Sequence, residues 1–326
     1  MLDTTYTNIL KDAVKLQLSG DFSEAETKYK CVLEKYPSHP QTLNNYGFML
    51  VQTGKIDAAV TMLEKTIQSY PGYATAYANL GHALAMKHHF EKAQNHYLKA
   101  LEIEPGYQPA LEGLLQLAIF QQDLGGAENY CRQLLKENPH HPEARYQLGV
   151  VMLIQNKVKP GIAHLEIVFD SHPDYKDVKT DLAFGYIQEH NYGNAISLLQ
   201  SVILNHPDHV KARNYLALAF LRTGRNHEAL VQYETILKIN PDHDESMCNL
   251  AVLLLAVGNT QNARSYLDKA LTINGNNVKA MYYQGFCFLN DGDKEAAYNA
   301  FEKASRYTDS SFTKMAKQQL ELINSK

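Results

Sequence analysis

The sequence predicts an all-α fold, an α-solenoid of antiparallel helix pairs, and three observations point to it. A proline returns every 34 residues, small and large apolar residues return at fixed places between the prolines, and the stretches between turns carry helical hydrophobic spacing. The prolines are Pro37, Pro71, Pro105, Pro139, Pro173, Pro207 and Pro241, and Gly275 takes the next beat. A repeat array has no single core, so the period has to be read before any domain count. With each proline at position 32 of a unit, the chain divides into an N-terminal extension (1–5), nine units and a C-terminal capping helix (312–326). The units are 6–39, 40–73, 74–107, 108–141, 142–175, 176–209, 210–243, 244–277 and 278–311.

Each unit is expected to hold two helices, A and B. Position 20 is always small: Ala25, Ala59, Ala93, Ala127, Gly161, Ala195, Ala229, Ala263 and Ala297. Position 8 is small except at Leu115, while position 24 carries Tyr29, Leu63, Tyr97, Leu165, Leu199, Tyr233, Leu267 and Phe301. Small residues let two helix backbones approach, and large neighbours fill the space beside them. Gly20, Gly54, Gly224, Gly258 and Gly292 stand at the break between A and B, where a helix end favours a left-handed residue. The proline then closes helix B, because neither it nor the residue before it continues an α-helix easily. After the ninth unit, Phe312, Met315, Ala316, Leu320 and Ile323 share one helical face, as expected of a helix that covers the last apolar surface. Unit four, with Pro109, Gly113 and the bulky Leu115, is expected to pack irregularly.

Small residues at positions 8 and 20, large ones at 7, 11 and 24, and proline at 32 of 34 make the chain similar to the tetratricopeptide repeat family over nearly its whole length. It departs from that family at position 4, where tryptophan is typical and this chain has none. The resemblance implies a right-handed superhelix acting as a non-catalytic protein-protein interaction scaffold. It also implies that positions 2, 5, 6, 9, 12 and 13 of helix A face a concave groove.

On that implied register, the partner-binding residues are Asn44, Asn45, Phe48, Asn79, His82, Tyr146, Val150, Phe184, Tyr215, Leu218, Leu221, Tyr282 and Phe286. Positions 9 and 12 are apolar without exception from unit five onward. That stripe is either packed by superhelical curvature or grips an apolar or amphipathic partner segment. Units two and three offer amides instead, which suit the backbone of an extended peptide. Asparagine at position 6 resembles the ladder of the O-GlcNAc transferase repeats, but only Asn45, Asn79 and Asn249 carry it. The lysine and asparagine set with which some family members clamp the acidic C-termini of heat-shock chaperones is missing. Arg145, Lys179 and Arg213 at position 4 would stack as a basic ladder, either as stems laid on the core or as a site for an acidic stretch.

Composition narrows the alternatives. A net charge of −4 supplies no basic field for phosphate backbones, so no nucleic-acid partner is expected. The N-terminus lacks a secretory pattern and no apolar run approaches a membrane span, which predicts no membrane insertion and a cytoplasmic chain. Cys31, Cys131, Cys248 and Cys287 form no CxxC pair. Phosphate-loop, HExxH and GxSxG motifs are missing, so neither an enzyme nor a cofactor is expected. His39, His141, His209 and His243 recur at position 34 and are expected to be turn residues without a metal. Two other readings stay open: the recruiting part of an enzyme system such as a glycosyltransferase-type assembly, and self-association through Leu2, Ile9 and Leu10 of the first helix.

Overall fold

A computed structural model describes residues 2–308 and 310–324. Nineteen α-helices and no strands are present among them, and consecutive helices pack as antiparallel pairs. The chain forms two compact units, Met1–His164 and Leu165–Lys326. The first holds α1 (Thr4–Leu18), α2 (Phe22–Lys35), α3 (Pro40–Gln52), α4 (Ile56–Ser69), α5 (Ala74–Met86), α6 (Phe90–Ile103), α7 (Gln108–Phe120), α8 (Leu124–Glu137) and α9 (Pro142–Ile154). The boundary falls within α10 (Val158–Ser171). The second unit continues with α11 (Val178–Gln188), α12 (Tyr192–Asn205), α13 (Val210–Arg222), α14 (Asn226–Ile239), α15 (Asp244–Ala256), α16 (Thr260–Ile273), α17 (Val278–Asn290), α18 (Lys294–Ser305) and α19 (Ser311–Asn324). Among the described residues no helix is long and apolar enough to cross a membrane.

Size complementarity explains the pairing. A β-carbon added to Gly47 would lie 2.8 Å from Leu63, and one on Gly285 would lie 2.6 Å from Phe301, so position 8 is small because position 24 of the same repeat is large. The exception obeys the same rule: Leu115 faces a repeat whose position 24 is Cys131, and both are fully buried in one cluster. Large and small have changed places, and α7 runs unbroken from Gln108 to Phe120, in place of the irregular packing expected there.

Helix ends repeat as well. Asp21, Asp123, Asn191, Asn259 and Asp293, all at position 16, cap B helices by accepting a backbone N–H three residues on. His39, His141, His209 and His243 do the same for A helices through Nδ1, and Asn277 takes that place in α17. These histidines are thus helix caps and not plain turn residues: Nδ1 reaches the position that an asparagine oxygen would occupy. The residue before a repeat proline has φ near −130°, which suits the proline that follows, for example −127° at Tyr36 and −131° at His206.

The chain ends differ from expectation in detail. Helix α1 starts at Thr4, inside the expected extension, because Asp3 caps it by accepting from Tyr6 N at 3.0 Å. Leu10 is buried and Leu2 and Ile9 are half-buried against the first cluster, so they offer little open surface for self-association. In α19, Phe312, Leu320 and Ile323 pack inward, whereas Met315 turns out to solvent. Ser325 and Lys326, the end of the expected capping segment, lie outside the described residues.

Candidate functional site

Within the first unit, the A helices α3, α5, α7 and α9 wall a cavity of about 720 Å³. Phe48 enters from α3, Asn79, His82 and Met86 from α5, and Glu112, Gly113, Gln116 and Leu117 from α7. The cap residue His141 and Glu143 of α9 close one end, and Tyr97 reaches the cavity from the B helix α6. Phe48, Asn79 and His82, expected in a groove from their register, are brought together here. Tyr97, Glu112 and Gly113 were not foreseen. The absence of a side chain at Gly113 is what lets Tyr97 in, since a β-carbon there would overlap the tyrosine ring.

The cavity's polar groups are held in set orientations. Asn79 Nδ2 donates to Asn44 Oδ1 at 2.9 Å, and Asn44 Nδ2 donates to Asn45 Oδ1 at 3.2 Å. The expected amide ladder therefore closes partly on itself. His141 Nδ1 accepts from Ala144 N at 3.2 Å, so the proton sits on Nε2, which donates to Glu112 Oε1 at 3.0 Å. Gln108 Nε2 donates to the same oxygen at 2.8 Å. Desolvation by the groove walls lowers the pKa of the His82 imidazole, even though the residue keeps an exposed edge. Burial pushes the Tyr97 phenol up to about 12, so it stays protonated.

Along one rim, position 13 of three successive repeats exposes an apolar residue: Met86 at 49%, Phe120 at 65% and Ile154 at 58%. Phe120 is steadied by Phe90, with ring centroids 4.7 Å apart. Position 13 belongs to the implied groove register, yet none of these three residues is among the expected partner-binding residues.

Other expected groove residues are differently placed. Asn44, Tyr146 and Tyr282 at position 5 are buried, at 3%, 7% and 4% exposure, and cannot serve as open anchors. For Tyr282 the reason is the cap: its ring meets Phe301 of α18 and Phe312 of α19 at 5.7 and 5.6 Å. Phe286 joins that cluster through Tyr282 and Phe301. Phe184 stacks on Tyr215 at 4.9 Å and 17°. The position 9 residues Val150, Phe184, Leu218 and Phe286 are half-buried, as is Leu221, while Leu153 and Ile187 at position 12 are buried. The apolar stripe is therefore mostly intramolecular packing with open edges.

The basic ladder also has internal partners. Arg213 donates to Pro207 O at 2.7 Å and to Gln232 at 2.8 Å, Arg145 donates to Pro139 O, and Lys179 pairs with Asp174. Position 4 arginines thus hold the inter-repeat turn. In the second unit Lys211 bridges Asp177 and Asp181, and His209 Nε2 donates to Asp177 at 2.9 Å. Among the described residues no three His, Cys, Asp or Glu side chains gather to hold a metal.

Tetratricopeptide repeat profiles match residues 38–104, 186–247, 232–265 and 279–310. No curated protein matches the sequence significantly. Among solved structures, IFIT1 with m7Gppp-AAAA is similar at a TM-score of 0.59 and 15% identity, covering 97% of this chain and 81% of that one. The Cut9 and Hcn1 hetero-tetramer of the APC/C is similar at 0.57 and 14%, covering 82% and 52%. Yeast Tom70 is similar at 0.54 and 13%, covering 99% and 96%. At these identities the likeness concerns the fold.

Proposed function

The chain belongs to the tetratricopeptide repeat family, and on that premise we propose that it is a non-catalytic interaction scaffold of nine repeats, holding a partner protein segment on the face of α3, α5, α7 and α9. The observation that carries this reading is the 720 Å³ cavity beside the exposed rim of Met86, Phe120 and Ile154. Three apolar side chains, open at the same position of successive repeats beside a cavity, are a surface that gains free energy when covered. The Cut9 and Hcn1 structure is an assembly of a similar solenoid with another protein. The RNA-like ligand of the IFIT1 structure belongs to that protein. The cavity here has no lysine or arginine lining it to meet a phosphate.

The test uses Met86→Asp, Phe120→Asp and Ile154→Asp together, because these side chains are exposed and their replacement spares the core. The wild-type chain should capture a partner from native lysate that the triple variant loses, with helicity and thermal midpoint retained. Equal capture by both would refute this face as the binding surface.

A further inference from the structure

We propose that the cavity of the first unit takes a cationic side chain, best an arginine, carried by an otherwise apolar partner segment. This rests on the scaffold reading and names the chemistry of the ligand. Four observations support it. First, no lysine or arginine lines the cavity, whereas Glu112 and Glu143 both do. Second, two of the N–H donors in the lining are engaged: His141 Nε2–H is held by Glu112 Oε1, and an N–H of Asn79 is held by Asn44. Both donors to Glu112 reach Oε1, so Oε2 is left for a ligand.

Third, Tyr97 is only 3% exposed and lines the cavity, and its hydroxyl has no hydrogen-bond partner among the described residues. That hydroxyl is open to the cavity, where a ligand can reach it. Its ring is packed against Gly81 and Gly113, which fixes where the hydroxyl sits. Fourth, the lining also includes the apolar residues Phe48, Met86 and Leu117. The cavity therefore offers a carboxylate oxygen and a phenol oxygen to a ligand rich in donors. A guanidinium carries five N–H groups and no acceptor, and its weak hydration suits partial burial.

The experiment is peptide display against the full-length chain with a random peptide library. Selected peptides should share an arginine or lysine beside apolar residues. Replacing that arginine with citrulline, which keeps the shape and removes the charge, should weaken binding about tenfold or more. Glu112→Gln, which still accepts from His141, should weaken the arginine peptide similarly and leave the citrulline peptide unchanged. Tyr97→Phe keeps the ring and should cost a smaller part of the affinity. Peptides that need Met86 and Phe120 but carry no cation, or a citrulline peptide as sensitive to Glu112→Gln as the parent, would overturn the cation assignment and leave the scaffold reading standing. Peptides indifferent to both Glu112→Gln and the rim variants, or no enrichment at all, would count against both.

Discussion

At the residue scale, the break between helices A and B shows how one backbone conformation is met by different side chains. The carbonyls at the end of each A helix are closed by a left-handed residue, with φ of 75–85° at Gly20, Gly54, Gly224, Gly258 and Gly292. His88, Gln122, Asn156 and His190 occupy the same place with φ of 58–65°. A side chain there costs roughly 1–2 kcal/mol, whereas glycine loses about 0.4–1 kcal/mol through the freedom of the unfolded chain. Strain outweighs entropy, so Gln122→Gly should stabilise by about 0.5–1 kcal/mol. His190→Gly should gain less, because His190 Nδ1 is hydrogen-bonded to Tyr192 Oη at 2.8 Å. Asn156→Gly should also gain less, since asparagine tolerates this region best. Urea midpoints of the three variants check the order; a Gln122→Gly chain that melts earlier than wild type would contradict it.

At the scale of the element, the helix pairs were legible in the sequence because period, size pattern and proline are local signals. The exchange of Leu115 and Cys131 was legible too, had position 24 been read against position 8 in the same repeat. So were the histidine caps, since Asn277 stands where the histidines do. The candidate site was less so. Asn44 and Asn45 are adjacent, yet one is buried and the other half-buried, and Tyr282 is closed off by α19. Register alone marks a face, while burial depends on what the neighbouring helix brings. The cap makes this testable. Phe312 of α19 is half-buried against Tyr282 and Tyr283, so Phe312→Ala should cost about 2–3 kcal/mol, below the loss of a fully buried phenylalanine. In a solenoid the loss should stay with the neighbours. Hydrogen exchange should quicken in α17, α18 and α19 and not in α11; uniform quickening would mean the cap supports the whole second unit.

At the scale of the whole molecule, acid should act in two steps, and the first, carried by histidines, is concentrated in residues 1–164. Burial lowers the pKa of His39, His82, His96 and His164, with smaller help at His164 from Arg145 and Arg132. A histidine whose folded pKa lies below the unfolded value of about 6.5 binds its proton more readily once unfolded. Its contribution to stability is therefore complete above that value and is lost as pH falls through the folded pKa. At His39, where burial comes first and the N-terminal charge second, protonation also removes the Nδ1 acceptor that caps α3 at Thr42. The second step belongs to carboxylates. Hydrogen bonds from Lys30, Lys55 and Tyr46 hold Glu26 at about 2, and Lys157 and Arg132 hold Glu128 at about 2. Their contribution is present above the ordinary carboxylate range and disappears only as pH falls toward 2. Between about pH 7.5 and 5.5 the chain should thus lose stability mainly through imidazoles. His39→Asn, which caps without titrating, should match wild type at the higher pH and exceed it at the lower one. Thermal midpoints of both chains at the two pH values decide this, and an equal acid shift in wild type and variant would exclude His39 from the response.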